Sequence, residues 1–204
     1  MQDITEFTRI FLALFFSFVA TFYVVRIIVV KSAIASEVVF VGEKYTKEWC
    51  NQLTFRLFRT CICCVCLLRL AYPTIDSYLG MITSLVSPIF QFLGMLLLGL
   101  GLGFTATSVI HFKLGELWRS GIDPNAPAKI ITHGFYRYSR NPMYIAVTTA
   151  QLGFFFALPS YFSLICLLIG LFTLHSQVKV EERQLKSLFP KQYTEYTCRV
   201  RRWI

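Results

Sequence analysis

Residues 142–177 read PMYIAVTTAQLGFFFALPSYFSLICLLIGLFTLHSQ, without one Asp, Glu, Lys or Arg. Leu158, Pro159 and Ser160 interrupt the run near its middle. Proline lacks a backbone donor and clashes with a preceding helical turn, so the run predicts two antiparallel helices joined by a tight turn. Each arm of about 17 residues would rise about 25 Å, enough for a thin or tilted crossing of roughly 30 Å of bilayer hydrocarbon. This hairpin decides the fold class, an all-α, polytopic integral membrane protein.

Upstream of the hairpin the same pattern recurs. Hydrophobic residues make up 55% of the 204, charged residues only 15%, and the mean hydropathy is +0.58, outside the range of ordinary soluble domains. An apolar run from about Arg9 to Val30 exceeds a signal-peptide core and is followed by no clean cleavage site, so it is expected to be a first membrane helix. A second, from about Leu53 to Tyr72, carries Arg56, Arg59 and Arg69, which can snorkel or face a polar interior. The run from Leu79 to Phe112 contains Pro88 and predicts a short segment followed by a tilted helix. Its Gly94, Gly99, Gly101 and Gly103 fit either close approach to a neighbouring helix or the ordinary glycine content of membrane helices. About five transmembrane helices are expected in one membrane domain spanning residues 1–204. Residues 1–78 would supply the N-terminal helices and residues 79–204 the functional core, ending in a cytoplasmic tail helix.

The net charge of +9 is concentrated in the stretch after the first run, the stretch from Lys113 to Arg140, and the tail beyond Lys179. With five helices all three fall on one side, which the excess of Lys and Arg marks as cytoplasmic. Such a face attracts anionic headgroups and requires no nucleic acid as partner. Seven cysteines, an odd number, give no disulfide framework. Cys63 and Cys66 have C-x-x-C spacing, but thiols among hydrocarbon behave mainly as small hydrophobes, and no metal site is expected. Together with the lack of a transit peptide or retention signal, free thiols point to a prokaryotic plasma membrane.

Chemistry concentrates in Ile130–Tyr144, IITHGFYRYSRNPMY, and in Glu181 and Glu182. Asn141 and Pro142 suit a helix N-cap and first turn. Arg137 and Arg140 stand among Phe135, Tyr136, Tyr138 and Tyr144, a composition that also fits an interfacial belt of anchors. The hairpin brings this loop and the glutamate pair to the same membrane face. A carboxylate near the C-terminal end of a helix is disfavoured by the dipole, so Lys179, Arg183, Arg140 or a cationic ligand should compensate it.

These residues resemble the isoprenylcysteine carboxyl methyltransferases and their phospholipid-methylating relatives. The shared pattern reads His133, Gly134, Tyr136, Arg140, Asn141, Pro142 and Tyr144, then Glu181, Glu182 and Leu185, with Phe189, Tyr193 and Tyr196 beyond. It covers residues from about 94 to 204. The resemblance implies S-adenosylmethionine as cofactor, in a pocket formed by Lys129, Ile130, Ile131, His133, Tyr136, Arg140, Asn141, Pro142, Met143, Tyr144 and Glu181. Arg140, Glu181 and Glu182 are the candidate catalytic residues.

Two departures bear on this expectation. Asn141 stands where many relatives have histidine, and Gln177 where the prenylcysteine enzymes have an arginine associated with the acceptor. The identity of the acceptor is therefore open; it is expected to be a lipophilic molecule reached laterally from the bilayer, its reacting group a carboxylate, an amine, a thiol or a hydroxyl. Two other readings compete. One is an NADPH-dependent membrane reductase, because sterol reductases have a related C-terminal helical architecture. The other is a non-catalytic membrane accessory protein. The oligomeric state is open.

Overall fold

A computed structural model describes residues 2–34, 37–118, 120–121 and 130–204. Among them the regular structure is helical, with only two isolated β-bridges, Val39 with Ser120 and Met81 with Ser160.

Helix α1 (Gln2–Ile34) rises about 50 Å by the standard helical rise. Thr8, Leu12, Phe16, Val19, Arg26 and Val30 are buried on one stripe with near-helical spacing. Phe7, Leu14, Phe18, Val25 and Ile28 are exposed, a surface suited to hydrocarbon rather than water.

Helix α2 (Lys47–Ala71) begins where the Thr46 hydroxyl accepts from the Trp49 amide at 3.2 Å. Its start precedes the expected Leu53 because Asn51 and Gln52, which break the apolar run, are buried against protein. The chain reverses through a 3-10 turn at Pro73–Tyr78. Asp76 in that turn meets Arg69 of α2 at 2.5 Å and Arg9 of α1 at 2.6 Å, clamping these two helix ends together.

Ser87 caps α3 (Pro88–Leu98), and Pro88 occupies its first turn as expected. The helix continues as π-helical turns over Gly99–Ala106 and Val109–Leu114. Thr105 and Thr107 donate to carbonyls five residues earlier, Leu100 and Leu102, matching the wider turn. Two of the four glycines noted above make close approaches. A Cβ on Gly94 would lie 2.2 Å from the Ala157 nitrogen, and one on Gly101 would lie 2.6 Å from the Ala146 carbonyl. Gly99 has nothing within 4 Å, and Gly103 would make only an ordinary contact with Phe15.

The hairpin consists of α4 (Pro142–Ala157) and α5 (Tyr161–Leu188). A capping box formed by Ser160 and Ser163 starts α5, and the Tyr161 amide donates to the Gly80 carbonyl, docking the hairpin tip on the preceding loop. Helix α5 runs well past Gln177, so Glu181 and Glu182 lie inside it rather than at its end. A short tail helix, α6 (Pro190–Arg199), packs Tyr193 and Tyr196 against Ile130, Leu185 and Phe189.

Two helices, α1 over Ile4–Ile34 and α5, are long and apolar enough to cross a membrane. The Pro88–Gly103 and Pro142–Ala157 helices are apolar but shorter, and α2, with its three arginines, is in neither group. Length and composition thus support fewer full crossings than the five expected.

Candidate functional site

The loop ahead of α4 turns at Gly134, whose φ of 66° lies in the left-handed region that favours glycine, and forms a 3-10 turn over Gly134–Arg137. The Tyr196 hydroxyl donates to the Tyr136 carbonyl at 2.6 Å, and the Arg140 amide donates to the Arg201 carbonyl at 3.1 Å. The tail therefore fixes the loop. Asn141 occupies the N-cap position of α4, but its side chain does not cap the helix as expected. Its amide instead donates to Glu182 Oε1 at 3.3 Å and to the Arg202 carbonyl at 3.1 Å.

The two glutamates have different surroundings. Glu181 Oε1 accepts from the Tyr144 hydroxyl across the hairpin and from Gln177 Nε2 at 3.2 Å. Gln177 in turn accepts from Asn51 Nδ2 at 3.3 Å, linking α2, α5 and α4 through one polar chain. Glu181 Oε2 has no protein donor among the described residues. Glu182 is held by Arg202, whose Nη2 lies 2.7 Å from Oε2 and whose Nε donates to both oxygens. Arg140 Nη1 stands 3.6 Å from Glu182 Oε1 and 3.4 Å from the Tyr193 hydroxyl, and Arg140 Nε is buried without a partner. Compensation of the carboxylates thus comes from Arg140, Arg202, Tyr144 and Gln177. Lys179 and Arg183 form no ion pair with either glutamate among the described residues; Arg183 Nε donates to the backbone carbonyl of Lys179.

Burial pushes the Tyr136 hydroxyl well above the usual phenol range, and Glu181 and Tyr196 act in the same direction. Burial takes Tyr196 up to about 12, with Arg140 opposing and Tyr193 adding to the rise. Both phenols stay protonated at neutral pH, and Tyr196 donates as a neutral phenol. The hydrogen bonds that Arg202 donates to Glu182 raise its already high value, fixing its charge.

A cavity of about 700 Å³ opens beside these groups, within the size range of small-molecule sites. Ile130, Ile131, Tyr136, Arg140, Asn141, Met143, Tyr144, Glu181 and Glu182 line it. Of the other residues expected in the site, His133 is exposed and Pro142 is buried at the helix start, and neither lines the cavity; Lys129 lies outside the described residues. The cavity continues inward along Phe16, Leu98, Phe154 and Leu167, and its far wall includes Gln52, Arg56 and Arg59 of α2. Sequence reasoning missed Arg202, Asn51 and the α2 wall. Only the alignment of Gln52, Arg56 and Arg59 on one helical face signalled the last of these.

Comparison with curated proteins gave no match, and comparison with solved structures gave none. The phospholipid methyltransferase family matches residues 89–192, which run from the start of α3 into α6 and take in the loop, the hairpin and both glutamates. The match covers just over half of the chain, and the protein belongs to the phospholipid methyltransferase family.

Proposed function

We propose that the protein transfers a methyl group from S-adenosylmethionine to a lipophilic, membrane-partitioned acceptor, a prenylcysteine-like carboxylate or another lipid. In this reading the chain is a polytopic membrane enzyme whose core is residues 79–204 and whose mouth faces the cytoplasm. The observation that carries the reading is one continuous cavity, polar at Tyr136, Tyr144 and Glu181 and apolar at Phe16, Leu98 and Phe154. A charged water-soluble donor and an apolar acceptor require such a joint site.

The residues fit the donor. Tyr136 and Tyr144 present aromatic surface suited to a sulfonium cation. Glu181 keeps Oε2 for the hydroxyl or amino hydrogens of a ligand, while Tyr144 and Gln177 hold Oε1. Arg140, with its buried and unpartnered Nε, is the donor for a ligand carboxylate. Glu182 is a positioning residue, because it fixes Arg140 from one side while Arg202 and Asn141 fix Glu182 from the other. When bound, S-adenosylmethionine supplies a methyl group already activated for transfer. The protein's remaining task is to align the acceptor and exclude water, which can account for most of the rate enhancement without a catalytic triad.

The test is purified protein in nanodiscs of native lipid extract, given isotopically labelled S-adenosylmethionine and followed by mass-resolved lipid products. A labelled lipid is expected. Failure of S-adenosylhomocysteine to bind or to raise the melting temperature, with no labelled product, would overturn the reading.

A further inference from the structure

The α2 wall of the cavity lies outside the family-matched residues 89–192. Gln52, Phe55, Arg56, Arg59 and Ile62 recur at helical spacing on the face turned to the cavity. Asn51 bonds to Ser176 and Gln177, which sets this part of α2 level with the α5 turn just below Glu181. Arg56 and Arg59 follow about 7 and 12 Å deeper by helical rise. Among the described residues neither arginine has an ion pair or hydrogen bond, and Arg59 rests only over the Tyr23 ring, 5.5 Å from its centroid.

Arg56 is half-buried and Arg59 exposed, so both guanidinium groups are open to a ligand, and beside an apolar cavity with no carboxylate paired to them among the described residues they favour an anionic one. Glutamates are available close by, but the described residues commit Glu182 to Arg202 and Arg140 and direct Glu181 to Tyr144 and Gln177. Phe154, Cys166 and Leu167 also line the cavity and suit a hydrocarbon chain.

The geometry points to Arg56 and Arg59 as the residues that bind the anionic group of the lipid acceptor, its chain lying along α4 and α5 and its reacting group directed toward Tyr136 and Glu181. This rests on the methyltransferase reading above and deepens it. Arginine suits the task because its planar fork binds phosphate or carboxylate through paired hydrogen bonds. The acceptor is then chosen by residues from the N-terminal helices, while the donor is held by the family-matched region.

The experiment uses the full chain, loaded with S-adenosylhomocysteine, and native mass spectrometry to count one-to-one binding of three single-chain probes. These are lysophosphatidic acid, an N-acyl amino acid carboxylate and uncharged monoacylglycerol, all with the same acyl chain. At least one anionic probe should bind about tenfold or more tighter than monoacylglycerol, the scale of a charge-assisted hydrogen bond. Which anion wins identifies the source as a phospholipid or a carboxylate-bearing lipid. Arg56→Gln with Arg59→Gln should erase the preference, and Arg56→Lys with Arg59→Lys should retain part of it, while S-adenosylhomocysteine affinity stays within twofold. No preference in the wild type, or a preference that survives the double Gln variant, overturns the assignment. Loss of the methyltransferase reading has a separate signature, a wild type that binds no S-adenosylhomocysteine.

Discussion

Tyr144 on α4 donates its phenolic hydrogen to Glu181 on α5, joining the open end of a hairpin whose other end is fixed by the Ser160 cap. The hydrogen bond bridges 37 residues of sequence and lies on the wall of the cavity. Glu181→Gln keeps the shape of the side chain and removes its charge. We expect S-adenosylhomocysteine to bind ten- to a hundredfold more weakly, for a loss of about 1.5 to 3 kcal/mol. Tyr144→Phe, which leaves Gln177 in place, should cost less. Calorimetry that returned wild-type affinity for both variants would remove this pair from the donor site.

Arg140 and Glu182 should behave as one unit. Arg140→Ala removes the donor itself, whereas Glu182→Gln only releases it, so the double variant should bind S-adenosylhomocysteine no more weakly than Arg140→Ala alone. Additive losses in a double-mutant cycle would mean that Glu182 acts independently of Arg140.

Asp76 governs stability at the other end of the bundle. Burial alone would raise its carboxyl, but the hydrogen bonds and charges of Arg69 and Arg9 prevail and hold it below the usual carboxylate range. Its contribution is therefore fully present above the ordinary carboxylate pKa and is lost as pH falls through the lowered folded value. Thermal unfolding in nanodiscs should show a drop in melting temperature in that acid range, and Asp76→Asn should flatten it. At neutral pH Asp76→Ala leaves Arg69, 1% exposed, without its partner, at an expected cost of about 3 kcal/mol.

Glycines on one helix give a matched pair of substitutions. Gly94→Ala places a Cβ 2.2 Å from the backbone of Ala157 and forces α3 and α4 apart, with an expected loss of about 1 to 3 kcal/mol. Gly99→Ala meets nothing within 4 Å and should be neutral or slightly stabilising. Equal effects of the two on unfolding would contradict the close packing at Gly94.

Labelling from either side of the membrane should separate the two ends of the bundle. In variants keeping one cysteine, Cys198, exposed on α6, should react with an impermeant maleimide from the face that carries Arg140. A cysteine replacing Tyr78, which is 87% exposed, should react from the opposite face. Both reacting from one side would refute the proposed orientation.

The hairpin was legible because a charge-free run broken at Pro159 has few other ways to fold. Pro88 and Pro142 likewise mark true helix starts. Hydropathy misjudged α2 and α5 at their polar ends, where Asn51, Gln52 and Gln177 are buried rather than exposed and Asn51 pairs with Gln177. Gly94 and Gly101 could not be told from Gly99 and Gly103, because composition does not reveal which face a neighbour covers. In the candidate site, the loop and the glutamates were readable as a joint pattern. Arg202 was not, since one arginine in a basic tail carries no local sign of its partner. The departure at Gln177 acquired a physical meaning only with Asn51 beside it, whose amide donates to the Gln177 side-chain oxygen.

The clamp of Asp76 on Arg9 and Arg69 has a mechanical consequence. Helices α1 and α2 are pinned together at one end by Asp76 and joined at the other by the chain through residues 35–46, while between these ties they form adjoining walls of the cavity, so a parting between them is a bowing of two arms held at both ends. The aperture such a movement creates is widest between the two ties and vanishes at the Asp76 joint. A lipid entering there would slide in sideways, its anionic group meeting Arg56 and Arg59 part-way between the mouth and the Asp76 joint, and the stiffness of that joint would help set the rate of exchange.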